Sequence, residues 1–301
     1  MNQHDKESQV PPVGPNYQSD NGYRTAATVA KRRFSSSWPL LIVAALFVVG
    51  AFLTWYFTWF GRELSTADIS TYLADSKPRK IQHALLQVQQ RIERGDEGAR
   101  QWYPQLIALA NHPETEIRLT LAWVMGFDHR RDEFHETLLK LLQDPEPIVR
   151  RNAALALVRF GDNSGRSELL AVFEPYPVKA HVAGTLSSSL KPGATVSRAA
   201  LIARLQTPGS EVEIRSPLPG RVEGPVKESG AVVQPGELIL TLRSDEDSIW
   251  EALRGLALIG EQEDVQTIQK YLRRGEIEDR LKQQAALTIQ AIENRVNRKS
   301  D

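Results

Sequence analysis

The stretch Ile214–Leu242, IRSPLPGRVEGPVKESGAVVQPGELILTL, decides the fold, because Val178–Leu205, VKAHVAGTLSSSLKPGATVSRAALIARL, repeats its pattern. Gly184 matches Gly220, Gly193 matches Gly230, and Val196 matches Val233. Leu201 matches Leu238 and Leu205 matches Leu242, so the offset is 36 or 37 residues throughout. Each copy reads as strand, glycine turn, strand, and a fixed self-similarity of this kind marks two units built alike.

These residues resemble the two halves of a biotinyl/lipoyl-type (barrel-sandwich hybrid) β domain. In carrier members of that family a lysine at the tip of the hairpin joining the halves holds biotin or lipoate. Here the hairpin is Gln206-Thr207-Pro208-Gly209-Ser210, and Gly209 stands at the lysine's place. No lysine occurs between Lys191 and Lys227. The resemblance therefore implies the carrier fold without a bound cofactor. Lysine-free domains of this type also occur in periplasmic adaptor (membrane fusion) proteins, although the long helical hairpin and the following β-barrel of those adaptors are missing here.

On either side of residues 178–243 the periodicity is helical. Pro113-Glu114-Thr115-Glu116-Ile117-Arg118-Leu119-Thr120-Leu121-Ala122 is echoed 32 residues later by Pro145-Glu146-Pro147-Ile148-Val149-Arg150-Arg151-Asn152-Ala153-Ala154. Proline opens a helix, apolar residues at i, i+3 and i+4 give it a buried stripe, and Gly161-Asp162 closes it. This pattern resembles HEAT repeats of the phycocyanobilin-lyase-like type. It is legible from 76 within a helical segment 61–174 and resumes over 244–296, ahead of a short tail at 297–301. The expected fold is mainly α: a helical-repeat solenoid carrying a small inserted all-β domain, preceded by a transmembrane helix.

That helix is expected at 38–60, WPLLIVAALFVVGAFLTWYFTWF, an uncharged run that as a helix would span about 34 Å. Trp38 lies at one end and Trp55, Tyr56 and Trp59 at the other, as in an interfacial aromatic belt. Lys31, Arg32 and Arg33 precede it, so the positive-inside rule predicts a cytoplasmic tail over 1–37 and the bulk of the chain in the periplasm. The tail, rich in Gln, Ser, Asn, Pro and Gly, reads as disordered. The location expected is a bacterial inner membrane, crossed once, with lipid contacts through the span.

Composition excludes more than it assigns. The net charge is zero, which gives no sign of a nucleic-acid partner. The chain has no cysteine, so disulfides, thiol catalysis and cysteine-based metal sites are out. Asp128, His129, Asp132, Glu133 and His135 form a polar cluster, but His129 and His135 are six apart, which suits neither a helix face nor a strand for metal binding. Glu211 and Glu213 share a strand face and read as solvated. Between Val178 and Arg243 eight Lys or Arg stand against five Asp or Glu, a mild positive excess that could steer docking.

No catalytic, metal or cofactor-binding residue is predicted. Candidate partner-binding residues are Trp102, Tyr103 and Trp123, whose helical spacing suits a core or an aromatic contact patch, together with Arg118 and Arg150 at the repeat-helix starts and Pro208 and Gly209 at the hairpin tip. The expected function is non-enzymatic: a membrane-anchored periplasmic protein–protein interaction scaffold, adaptor or assembly factor for a transport or respiratory complex. Its partners would be proteins in or at the inner membrane, with self-association open. The alternative is a cofactor carrier or a lyase-like enzyme on HEAT repeats.

Overall fold

The computed structural model describes residues 38–59, 63–224, 226–275 and 277–300, with side chains at all of these except 39, 40, 55–59, 299 and 300. The expected tail 1–37 lies outside the described residues. The chain divides into two units, residues 1–62 and 63–301.

In the first unit, α1 (Trp38–Trp59) is a helix whose described apolar side chains, Phe47 among them, are exposed. Among the described residues no helix is long and apolar enough to cross a membrane. The transmembrane helix expected at 38–60 is not supported. Neither is the single-pass inner-membrane location with a cytoplasmic N-terminus and periplasmic bulk.

The second unit begins with α2 (Thr66–Leu73) and α3 (Pro78–Glu93). It continues through α4 (Tyr103–Ala108), α5 (Thr115–Met125), α6 (Asp132–Leu141), α7 (Pro147–Arg159) and α8 (Arg166–Leu170). After eight strands come α9 (Glu246–Ile259), α10 (Asp264–Leu272) and α11 (Asp279–Ser300). α11 runs through the stretch expected as a tail at 297–301, as far as Ser300. The odd-numbered helices α3, α5, α7, α9 and α11 pack in succession as one layer, and the even-numbered helices back them.

The sequence dictates this packing. In α7, Pro147 at the first turn opens the helix, and Val149, Ala153, Ala154, Leu157 and Val158 turn inward. Small residues let the helices close up. A Cβ added at Gly165 would sit 2.6 Å from the Ala154 backbone, so only glycine permits that approach. One apolar core contains residues from before the strands, such as Trp102, Leu121 and Phe134, and from after them, such as Leu253, Ile268 and Ala285.

The strands are β1 (Tyr176–Lys179), β2 (Gly184–Ser189), β3 (Thr195–Val196), β4 (Leu201–Thr207), β5 (Ser210–Arg215), β6 (Gly220–Glu223), β7 (Val232–Val233) and β8 (Leu238–Ser244). They enclose a second core of their own, including Leu186, Leu205, Ile239 and Leu242. One sheet has the order β1-β8-β6-β3 and the other β5-β4-β2-β7. Advancing every strand of the second by four gives the first, which is the sequence repeat expressed as a pseudo-two-fold. Its hydrogen bonds obey the same relation. Leu186 N donates to Ala231 O and Val222 N to Ala194 O, both at 2.8 Å. Gly193 N donates to Val222 O at 2.8 Å, and Gly230 N to Leu186 O at 2.7 Å. β1 and β8 pair, with Tyr176 opposite Leu242, so the chain leaves the helical array and returns to it at one place.

Candidate functional site

Each candidate residue can now be placed. Arg118 is 8% exposed. Its Nε and Nη2 donate to the two carboxylate oxygens of Asp144 at 2.6 and 3.0 Å, and its Nη1 donates to His112 O and Pro113 O at 2.7 and 2.9 Å. The Asp144 hydrogen bond holds its guanidinium above its ordinary value, against burial. Arg150 repeats the arrangement one unit on, donating through Nη1 to Asp144 O and Pro145 O and through Nε to Glu168 at 2.9 Å. Both arginines tie successive turns together; Arg118 is buried, while Arg150 also lines a surface depression with Glu168.

Trp102 is fully buried, its indole N–H donating to Ser70 Oγ at 2.9 Å. Tyr103 packs on Phe134 and donates its hydroxyl to Asp128 at 2.8 Å. Burial first, and then that hydrogen bond to a carboxylate, push the Tyr103 phenol well above its ordinary range. Burial pushes the Asp128 carboxyl up, but hydrogen bonds from Tyr103 and Arg131 outweigh it and leave the carboxyl below its usual value. The polar cluster is thus divided among structural tasks: His135 contacts Asp162 at 2.6 Å, and His129 meets Phe160 edge-on.

Pro208 and Gly209 form the exposed two-residue tip of the β4–β5 hairpin. Gly209 has φ +95° and open space around it, as the third residue of a Pro-Gly turn requires. Glu211 and Glu213 lie beside Arg204, and Glu213 also binds Arg215 at 2.5 Å.

Trp123 is the aromatic candidate that remains accessible, at 39% exposure. Its ring rests edge-on against Phe127. With Asn152 it lines two adjoining depressions of about 460 and 450 Å³, which form one groove across the layer of odd-numbered helices. Leu86 of α3 and Ile148 of α7 lie toward one end, where Arg198 and Pro219 of the β domain supply a wall. Arg159, Arg254 and Leu258 lie toward the other. Arg198 forms an ion pair with Glu116 at the start of α5, tying that wall to the helices.

Sequence reasoning missed most of these residues, yet a signal was there. Leu258 falls outside the buried stripe Ile249–Ala252–Leu253–Leu256 and on the same face as Glu251 and Arg254. Leu86 likewise departs from the stripe Ile81–Leu85–Val88. Apolar residues on otherwise polar helix faces mark a contact surface when, as here, the fold gathers them in one depression.

A further cavity of about 350 Å³ lies where β8 runs into α9, lined by Arg221, Arg243, Glu246, Tyr271 and Glu278. Burial, followed by the neighbouring Glu278, raises the Glu246 carboxyl. Its walls are dominated by exposed charges.

Comparison with known proteins agrees with the helical reading. The HEAT repeats family profile matches residues 103–187; its last residues are strand in this protein, in β1 and β2. A single-chain, multi-domain long-chain acyl-CoA carboxylase shares 20% identity over 33% of this chain and 10% of its own, with a TM-score of 0.23. The chain thus spans a tenth of that enzyme's length, and at this level the likeness carries no functional argument. No curated protein matches the sequence.

Proposed function

We propose that this protein is a protein–protein interaction scaffold, in which a HEAT-type array offers a groove and the β domain forms one of its walls. The observation that carries the reading is the pair of adjoining depressions that share Trp123 and Asn152. Repeat arrays use such extended surfaces to hold partners.

The β domain is read as biotinyl/lipoyl-like. Its pseudo-two-fold sheets and the hairpin joining its halves support that reading. A carrier needs a reactive arm at the hairpin tip, and Gly209 offers none, so a structural or docking role suits the domain better. The likeness of the helices to phycocyanobilin-lyase-type repeats is one of architecture and carries no active site over.

The test is site-specific photocrosslinking in native cells. A photoreactive residue at Trp123 should capture one defined protein, and the same residue at Arg130, exposed on a turn, should not. Equal capture at both positions, or none at Trp123, overturns the scaffold reading. A stoichiometric mass addition of biotin or lipoate on the purified protein would replace it with the carrier.

A further inference from the structure

The groove has a definite chemistry. In the second unit the large apolar side chains that are exposed are Leu86, Trp123, Val232, Leu258 and Leu287. Three of these five, Leu86, Trp123 and Leu258, line the groove. Exposed apolar surface gathered in one depression marks a contact site, whereas scattered residues do not. The charged residues lining it are Arg159, Arg198 and Arg254 against Glu251 alone.

Two of the arginines are available. Arg159 stacks on Phe127 with its guanidinium carbon 4.4 Å from the ring centre. Among the described residues no carboxylate lies within ion-pair distance of it. Stacking fixes the plane of the guanidinium and leaves its N–H groups free to bind a carboxylate. Arg254 meets Glu251 at 3.5 Å, with both side chains about half exposed. An exposed pair at that distance is worth little and is readily exchanged. Arg198, by contrast, is held by Glu116 and acts as wall.

Resting on the scaffold reading above, we infer that the groove binds an acidic amphipathic segment of a partner protein. Its apolar side chains would lie against Trp123 and Leu258, and its carboxylates would meet Arg159 and Arg254. Charge complementarity selects this occupant. A basic segment would face the unpaired guanidinium of Arg159 and that of Arg254, held only by an exposed pair with Glu251. A nucleic acid would find few phosphate sites, with three arginines lining the groove, whereas polyanion binding needs many basic contacts. A second copy of this chain would need a matching acidic apolar stripe, whereas the exposed leucine of α11, Leu287, has Gln283, Gln284, Gln290 and Ala291 as its neighbours on the helix face, none of them acidic.

The experiment uses the full-length protein and two labelled synthetic peptides. One is amphipathic, with leucines at helical spacing and glutamates between them; its twin carries lysine at every glutamate. The acidic peptide should bind and the basic twin should bind at least about tenfold more weakly. The double variant Arg159→Glu/Arg254→Glu should reverse that preference, and Trp123→Ala should weaken both variants' preferred peptides. Both arginines are exposed, so thermal melts should show the double variant folded; Arg159→Gln/Arg254→Gln, which should lose the preference without reversing it, serves as a second variant.

Three results overturn the inference: no binding of either peptide up to about 1 mM, an acidic-peptide affinity unchanged by charge reversal, or equal binding of polyglutamate that lacks leucine. Sedimentation showing a Trp123-dependent dimer with no peptide binding overturns it in favour of self-association. The scaffold reading fails separately. Unchanged photocapture at Trp123 in the Arg159→Glu/Arg254→Glu variant would keep the scaffold and sink the acidic partner.

Discussion

Ala199 and Gly236 occupy equivalent turns of the β repeat, and both hold a positive φ, 61° and 86°. Each also donates its backbone N–H across the domain in the same way, Ala199 to Ser216 O at 2.8 Å and Gly236 to Ala180 O at 2.7 Å. One half of the domain therefore carries glycine where the turn needs a left-handed residue, and the other carries a strained alanine. The left-handed conformation costs a non-glycine residue about 1–2 kcal/mol, and glycine's extra unfolded-state entropy returns about 0.5–1 kcal/mol of that. Ala199→Gly should stabilise the protein by about 0.5–1 kcal/mol, and Gly236→Ala should destabilise it by about 1 kcal/mol. Denaturant melts of the two variants check this; a loss of stability in Ala199→Gly would contradict it.

Arg118 and Arg150 are repeat equivalents in unequal surroundings. The side chains of Arg118 and Asp144 are 10% and 5% exposed, those of Arg150 and Glu168 24% and 23%. Removing one partner of a buried pair strands the other charge, at a cost of about 3–5 kcal/mol. The half-buried pair should cost less, about 1–2 kcal/mol. Urea melts should rank Arg118→Ala well below Arg150→Ala, and equal losses would show that burial does not set the difference.

The sequence showed periodicity and spacing, and those features of the fold were legible. The β repeat could be read because its glycines must fall at turns and its leucines must face inward. The helical repeats could be read because Pro113 and Pro145 open matching helices. What spacing could not show is which way an arginine reaches at a helix start. Arg118 and Arg150 looked presentable, but each turns back to the carbonyls of its own preceding loop. Trp102 and Trp123 were equivalent on the page, yet one fills the core and the other floors the groove. Arg159, Arg254 and Leu258 come from α7 and α9, which are separated by the whole β domain in sequence, and only the stacking of odd-numbered helices makes them neighbours. The long apolar run at 38–60 was the reverse case, a strong sequence signal that the described residues do not support as a membrane span.

Asp162 links two repeats and should make stability sensitive to acid. Burial alone would raise its carboxyl, but hydrogen bonds from Ser164 and the contact with His135 outweigh burial, so its value lies below the model-compound 3.8. A carboxyl depressed in the folded state stabilises the protein above its unfolded value and loses that contribution as pH falls through the folded value. Thermal midpoints should therefore drop between about pH 5 and about pH 2, and Asp162→Asn should flatten part of that drop while lowering stability at neutral pH. An identical acid limb in both proteins would remove Asp162 from the account.

The β domain should be dispensable for folding of the helices. Tyr176 and Leu242 are cross-strand partners, and Ser244 lies two residues further along the strand, so the two chain ends left by excision, Tyr176 and Ser244, would lie about 9 Å apart. A short Gly/Ser linker in place of residues 177–243 closes that gap without strain. The helices on both sides already share one core, with α7 and α8 packed on α9. Excision removes the Arg198–Glu116 pair, a contact largely at the surface and worth little. It also opens the surroundings of Arg151, a buried guanidinium with one nitrogen unpartnered. Burial lowers the Arg151 value, so hydration there offsets part of the loss. Circular dichroism should show the helical remainder melting in one cooperative transition, and collapse of the helical signal would mean that the β domain holds the array together. The remainder keeps Trp123, Arg159 and Arg254 but loses the wall formed by Arg198 and Pro219. Its affinity for the acidic peptide should accordingly fall by less than about tenfold, because the apolar anchor and both groove arginines stay in place.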